Sequence, residues 1–173
     1  AIYLDAWLKK RDLPFTGAVS LFYVLVGALR GILAEGLERR YYRYRLMAHE
    51  LRKAVSIWDL KTLLEAVDDV DTEKYSSPTV TAVHYPQELL GKDKDFRGFV
   101  RDLGILIAGG QGKLKGKIFR VATMGGFGPR ELITVIGVLE VALIKMGYEP
   151  KRSAFEEIAR DLTKEEIGRI LRF

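Results

Sequence analysis

A long apolar stripe is the feature that most limits how this chain can fold. Between residues 19 and 58, apolar side chains recur at spacings of three and four, the period of one helix face. The stripe consists of Val19, Phe22, Val26, Leu29, Leu33, Leu37, Tyr41, Tyr44, Ala48, Leu51, Val55 and Trp58. Three glycines weaken its first half, and we expect a bend or break near Gly36. A helix this long in a chain of 173 residues typically connects two domains or forms a dimer seam.

Composition excludes several classes of function. The chain has no cysteine, which excludes disulfides, thiolate catalysis and cysteine-ligated metals. Its two histidines, His49 and His84, lie on different predicted elements, so we expect no metal site. The net charge of +5 is far below that of a dedicated nucleic-acid binder, and we expect no nucleic-acid partner. No secretory signal is visible, and the apolar run 18–34 is too short and interrupted for a membrane span. We therefore expect a cytoplasmic protein without a membrane partner.

Short strands and helices follow the long helix. Alternation predicts strands over residues 79–85 and 117–124, a continuous apolar run predicts a buried strand over residues 104–108, and amphipathic spacing predicts a helix over residues 92–103. Gly128 and Pro129 mark the start of a further helix that Gly147 ends, and Ser153 and Thr163 each open a capping box. We therefore predict an α/β fold, with a small antiparallel-rich sheet packed with helices and preceded by the long connecting helix.

An arginine interrupts the last predicted strand. Arg120 shares one face of that strand with Ile118 and Ala122, and a loop rich in glycine and lysine precedes the strand. Arginine cannot lose its charge, and burying that charge unpaired is costly. An edge strand or a salt bridge within the chain is the commoner solution. The functional alternative is capture of a substrate carboxylate, which fits the planar guanidinium with two parallel hydrogen bonds.

Two other motifs have unremarkable interpretations that we favour. The glycines of the loop miss the spacing of a dinucleotide fingerprint and of a P-loop, which favours a flexible connection over close approach to a ligand. The basic and aromatic residues 38–45 could bind RNA. A solvated helix face, with Tyr41 and Tyr44 turned inward and the arginines outward, is the preferred explanation.

Residues 107–125, IAGGQGKLKGKIFRVATMG, resemble the C-terminal signature of class V aminotransferases. These are pyridoxal-phosphate (PLP) enzymes of the alanine–glyoxylate and serine–pyruvate type, and the archaeal members are the most similar. The resemblance extends to residues 13–54, 77–86 and 130–149 and covers roughly residues 1–149. It implies the C-terminal part of a fold type I enzyme. Residues 1–17 would end the large domain and form an interface loop, residues 18–58 the connecting helix, residues 59–149 the small α/β domain and residues 150–173 a helical tail.

The resemblance also implies a function. Such enzymes are homodimers that move an amino group between a small amino acid (alanine, serine or aspartate) and a 2-oxo acid (glyoxylate or pyruvate). The arginine at the Arg120 position binds the substrate α-carboxylate, and the turn at Gly109 and Gly110 lies beside the active site. A threonine matching Thr16 reaches the PLP phosphate of the neighbouring subunit. The Schiff-base lysine and the acidic partner of the pyridinium lie in the large domain, so we expect no catalytic residue in this chain and no activity from it alone.

The chain departs from its relatives in the loop around Thr16. Asp12, Leu13 and Gly17 occupy places where many relatives carry Thr-Pro or Asn-Thr-Pro and a proline after the threonine. A carboxylate at Asp12 would repel a phosphate. The alternative to an enzymatic role is a non-catalytic module that dimerises through the exposed face of the long helix.

Overall fold

The computed structural model describes residues 2–162 and 167–168, which form two compact units divided between residues 40 and 41. The first unit contains helices α1 (Ile2–Lys10) and α2 (Val19–Glu35) and the start of α3 (Leu37–Ile57). The second contains the rest of α3, α4 (Thr72–Tyr75), β1 (Val80–His84), α5 (Asp93–Asp102), β2 (Ala108–Gly109), β3 (Ile118–Ala122), α6 (Pro129–Lys145) and α7 (Ala154–Asp161). Within the described residues, no single helix is long and apolar enough to cross a membrane, and α2 with α3 meets the length and composition criteria only as a broken pair.

The long apolar stripe falls on two helices. Gly36 separates α2 from α3 with φ +83°, a left-handed conformation that glycine adopts at no steric cost, and its N–H donates to Ile32 O at 3.0 Å. Most large apolar side chains of α2 are 44–77% exposed, with Ile32 partly buried, whereas the stripe residues of the second half of α3 are buried. The same helical spacing of apolar residues therefore forms a core face on α3 and an exposed face on α2.

Three strands form the sheet in the order β1–β3–β2, and both pairings are antiparallel. This arrangement, with helices around it, confirms the predicted α/β class with a small antiparallel sheet. The predicted strand over residues 104–108 is wrong in its extent, because β2 contains only Ala108 and Gly109. Within the apolar run before β2, Leu106 is 83% exposed, whereas Ile105 and Ile107 are partly buried against the core.

The core lies between the sheet, the second half of α3, and helices α5 to α7. Phe96 and Val100 of α5 are fully buried as their spacing predicts, but Leu103 is half exposed. The start signals of α6 act as expected, since Pro129 begins the helix and the Glu131 carboxylate accepts the Gly128 N–H at 3.1 Å. On α7, the Ser153 hydroxyl accepts the Glu156 N–H at 3.2 Å, whereas Thr163 lies outside the described residues.

The predicted orientation of the basic helix segment is wrong at Arg43 and Tyr41. Arg43 is only 5% exposed, and its Nη1 donates to Phe127 O at 2.5 Å, whereas Tyr41 is about half exposed. A buried guanidinium is tolerated where it satisfies a backbone carbonyl, here in the turn before α6. Tyr44 holds the same turn, because its hydroxyl accepts the Gly125 N–H at 2.8 Å. These residues anchor the turn that leads into α6.

Candidate functional site

Arg120 lies in the middle of the central strand, not at an edge of the sheet. Its β3 neighbours Phe119 and Val121 face the core and are buried, while Arg120 faces the other side and is partly exposed. The residues paired with Arg120 on both adjacent strands are alanines, Ala82 on β1 and Ala108 on β2. A row of alanine, arginine and alanine places only methyl groups beside the guanidinium, so neither flanking side chain is long enough to cover it.

One hydrogen bond fixes the Arg120 side chain. Its Nε donates to Gly109 O on β2 at 3.0 Å. No carboxylate among residues 2–162 and 167–168 forms an ion pair with Arg120, and its two Nη groups have no hydrogen-bond partner there. The salt bridge that the sequence left open as the commoner solution is therefore absent from the described chain. The free edge of the guanidinium presents parallel N–H donors, the arrangement that a carboxylate accepts.

The glycine-rich loop is a compact connection between β2 and β3. A Cβ at Gly110 would lie 2.0 Å from Leu114 O and 2.9 Å from Ile118 Cγ1, so only glycine fits there. Gly112, the first residue of a 3-10 turn, and Gly116, just beyond that turn, adopt positive φ values of +53° and +73°. The Gly110 N–H donates to Ile118 O at 3.0 Å, which closes the connection next to Arg120. The sequence favoured a flexible connection; these residues do connect two strands, but the close steric fit at Gly110 was not predicted.

An ion pair on α5 lies behind Gly109. Arg97 donates to Asp93 through Nε at 3.0 Å and through Nη2 at 2.7 Å, and the Tyr85 hydroxyl donates to the same carboxylate at 3.0 Å. The Arg97 hydrogen bond holds the pKa of Asp93 below its ordinary value, and Asp93 raises the pKa of Arg97. Burial, with the Asp93 charge, raises the pKa of Tyr85, which keeps its hydroxyl a neutral donor. Sequence reasoning did not select these residues, although the four-residue spacing of Asp93 and Arg97 is a helical ion-pair signal.

His84 lies on the same face of the sheet as Arg120. It pairs with Ile118, two residues from Arg120 along β3, so its side chain is a diagonal neighbour of the guanidinium. Its Nε2 is buried and has no hydrogen-bond partner among the described residues.

Thr16 lies in the first compact unit and Arg120 in the second. Thr16 is exposed in a shallow hollow formed by residues 12–17, and the Asp12 carboxylate in that hollow accepts the Leu13 N–H at 2.7 Å. The structure therefore brings Gly109 and Gly110 together with Arg120. It places Thr16 beside an acidic side chain, which disfavours a phosphate.

The described residues of this chain do not form a PLP site. A Schiff-base lysine needs a lowered pKa, which proteins obtain by burying the amine or by placing another cation beside it. Every lysine that the structure describes is exposed except Lys53. A hydrogen bond to Asp161 raises the pKa of Lys53, the opposite of what that chemistry needs.

No family model matches the sequence. The chain is 34% identical over 164 residues to an uncharacterized aminotransferase of Methanocaldococcus jannaschii, covering 94% of this chain and 40% of the relative. It is 30% identical over 136 residues to the serine–glyoxylate aminotransferase of Methylorubrum extorquens, covering 79% of this chain and 32% of that enzyme. The crystal structure of pyridoxamine–pyruvate aminotransferase from Mesorhizobium loti superposes with a TM-score of 0.75 at 28% identity, over 92% of this chain and 39% of that one.

All three relatives are aminotransferases, and this chain matches only one part of each. The chain spans about two fifths or less of the length of each relative named above. The agreement includes the fold as well as the sequence, and the match runs through both compact units. This chain therefore belongs with the class V aminotransferases and corresponds to the C-terminal portion of those enzymes.

Proposed function

We propose that this chain supplies the substrate-carboxylate site of a PLP-dependent aminotransferase. The enzyme transfers an amino group between a small amino acid, such as alanine, serine or aspartate, and a 2-oxo acid, such as glyoxylate or pyruvate. The observation that carries the proposal is the state of Arg120, whose guanidinium is held by one carbonyl and unpaired with any described carboxylate. The names of the relatives, which include serine–glyoxylate and pyridoxamine–pyruvate enzymes, support the choice of substrates.

The guanidinium serves both halves of the reaction. PLP, when bound in the complete enzyme, would supply the chemistry of amino-group transfer. An amino acid and a 2-oxo acid share the same carboxylate beside the reacting carbon. Arg120 can therefore bind each in turn through its two Nη groups and present the reacting carbon in the same place. Gly109 and Gly110 form the backbone beside that site.

The assembly that we propose is a cytoplasmic homodimer. The uncovered apolar face of α2 supports the association, because exposed apolar patches of this extent typically mark an interface. In that dimer Thr16 would approach PLP of the neighbouring subunit, although Asp12 makes this loop a weak phosphate ligand. The Schiff-base lysine comes from the part of the enzyme that this chain does not represent.

Adding PLP to the isolated chain tests whether the Schiff-base lysine lies outside this chain. We expect only a weak absorbance band that disappears on dilution, because the exposed lysines form imines reversibly. Nα-acetyl-lysine at a matched concentration of side-chain amine is the control and should behave in the same way. Absorbance spectra before and after tenfold dilution measure this directly. A band that survives dilution and is abolished by replacing one specific lysine would contradict the proposal.

A second candidate function is a non-catalytic module that self-associates through α2. The observation in its favour is the exposure of the apolar side chains of α2, which includes Leu33 and Phe22. We expect the purified chain to dimerise, and Leu33→Glu to weaken this association while preserving the fold, because Leu33 is exposed. Static light scattering measures the mass, and Leu106→Glu, also exposed but outside α2, is the matched control. A clean monomer at all concentrations would rule this candidate out.

A further inference from the structure

The orientation of the Arg120 guanidinium depends on its hydrogen bond to a backbone carbonyl. Of its five N–H donors, Nε is bound by Gly109 O, and this bond determines where the remaining edge of the planar fork points. Gly109 belongs to a strand of only two residues, paired with β3 at Ala108–Arg120 and Gly109–Phe119. So short an edge strand has few ladder hydrogen bonds of its own, and its position needs support from elsewhere.

That support comes from the Asp93–Arg97 ion pair. A Cβ built on Gly109 would lie 3.0 Å from Arg97 Nε, 3.2 Å from Asp93 Oδ1 and 3.3 Å from Arg97 Cζ. The pair therefore fills the space that a side chain at Gly109 would need, and the missing side chain is what permits this close packing. The carbonyl of the same residue accepts the Arg120 hydrogen bond, so a shift of the pair would move the acceptor.

The ion pair is itself held rigidly. The Asp93 side chain is 14% exposed and receives hydrogen bonds from Arg97 and from Tyr85. Tyr85 packs against Phe96 and Phe119 with ring centroids 5.4 and 5.3 Å away. Because Phe119 precedes Arg120 on β3, the hydroxyl that fixes Asp93 belongs to the same packed cluster as the strand that carries the arginine.

We propose that Asp93 and Arg97, held by Tyr85, are positioning residues for substrate-carboxylate binding, and that they act on Arg120 through the Gly109 carbonyl. This inference rests on the proposed function of Arg120. It adds residues that do not touch the substrate but determine the direction of the fork. A change in the pair should therefore weaken binding of every substrate that carries the shared carboxylate, without changing the chemistry at the reacting carbon.

Arg97→Lys tests the inference in the PLP-loaded enzyme that contains this chain. Lysine keeps the charge but loses the planar fork that holds Asp93 in two hydrogen bonds. We expect KM to rise about tenfold for both the amino acid and the 2-oxo acid, with kcat and PLP affinity changing less than about twofold. Arg101→Lys, one helical turn further along α5 and exposed, is the control and should change nothing.

A double-mutant cycle with Arg120→Ala separates positioning from general structural damage. If Arg97 acts through Arg120, Arg97→Lys should have little further effect on kcat/KM once Arg120 is alanine. Equal losses in both backgrounds would overturn the positioning role and leave the role of Arg120 standing. Unchanged kinetics in Arg120→Ala alone would overturn both proposals.

Tyr85→Phe provides the same test with a smaller structural change. It removes only the hydroxyl that donates to Asp93 and keeps the aromatic packing. We expect KM to rise about threefold for both substrates, and this rise to vanish in the Arg120→Ala background. If Arg97→Lys lowers the melting temperature so far that its kinetics are uninterpretable, the Tyr85→Phe cycle decides, and an unchanged KM or an additive effect overturns the inference.

Discussion

Replacing Arg120 with alanine is expected to lower kcat/KM for the amino acid by about 100- to 1,000-fold in the PLP-loaded enzyme that contains this chain. The loss follows because the two Nη groups, unpaired among the residues that the structure describes, are the donors that fit a substrate carboxylate, and hydrogen bonds between charged groups are the stronger class. Steady-state kinetics with both substrates, together with a PLP titration, provide the measurement. We expect PLP affinity to stay within about twofold, since the variant removes a substrate contact.

Two further variants separate the contribution of the planar Arg120 guanidinium from that of its positive charge. Arg120→Lys retains the positive charge but not the bidentate geometry, so its loss should fall between those of the wild type and Arg120→Ala. Arg130→Ala removes a guanidinium that is 91% exposed and should leave the kinetics unchanged. Wild-type kinetics in Arg120→Ala would contradict the carboxylate-binding role.

Gly110→Ala is expected to lower the free energy of unfolding by about 3 kcal/mol, near the upper end of overpacking costs. The added methyl group would lie 2.0 Å from the Leu114 carbonyl oxygen and 2.6 Å from its carbon. These are backbone atoms in a closed turn, so they cannot rotate away as a side-chain end can. Urea unfolding of the chain, followed by circular dichroism, gives the change in midpoint and slope.

Gly98→Ala is the matched control for that prediction. Gly98 lies inside α5, and a Cβ there meets nothing within 4 Å. Because alanine is the better helix former, this variant should stabilise the chain by about 0.5–1 kcal/mol. A Gly110→Ala variant as stable as the wild type would show that the connection between β2 and β3 relaxes freely.

Local signals predicted the elements that local chemistry determines. The alternation of residues 79–85 located β1 at Val80–His84, and Pro129 with Gly128 located the start of α6. Gly36 was a sound marker of the break between α2 and α3, because its φ of +83° is costly for other residues. Each of these features depends on a few adjacent residues.

The surroundings of Arg120 could not be predicted in the same way. The strand predicted over residues 104–108 overlaps β2 only at Ala108, because apolar content does not show how far a partner strand extends. The flanking alanines, Ala82 and Ala108, and the hydrogen bond to Gly109 depend on the register between three strands. The position of Arg97 beside Gly109 depends on how α5 packs on β2. The spacing of Asp93 and Arg97 predicts an ion pair on a helix, but it does not predict that this pair lies beside the site.

The uncovered side of α2 has a thermal consequence. An association that removes these leucines, valines and aromatic rings from water is driven near 25 °C by entropy released from hydration, and it carries a negative change in heat capacity. The contact should therefore loosen in the cold and tighten with moderate warming. A preparation kept on ice and one kept at room temperature would differ in assembly for this reason alone, at identical concentration.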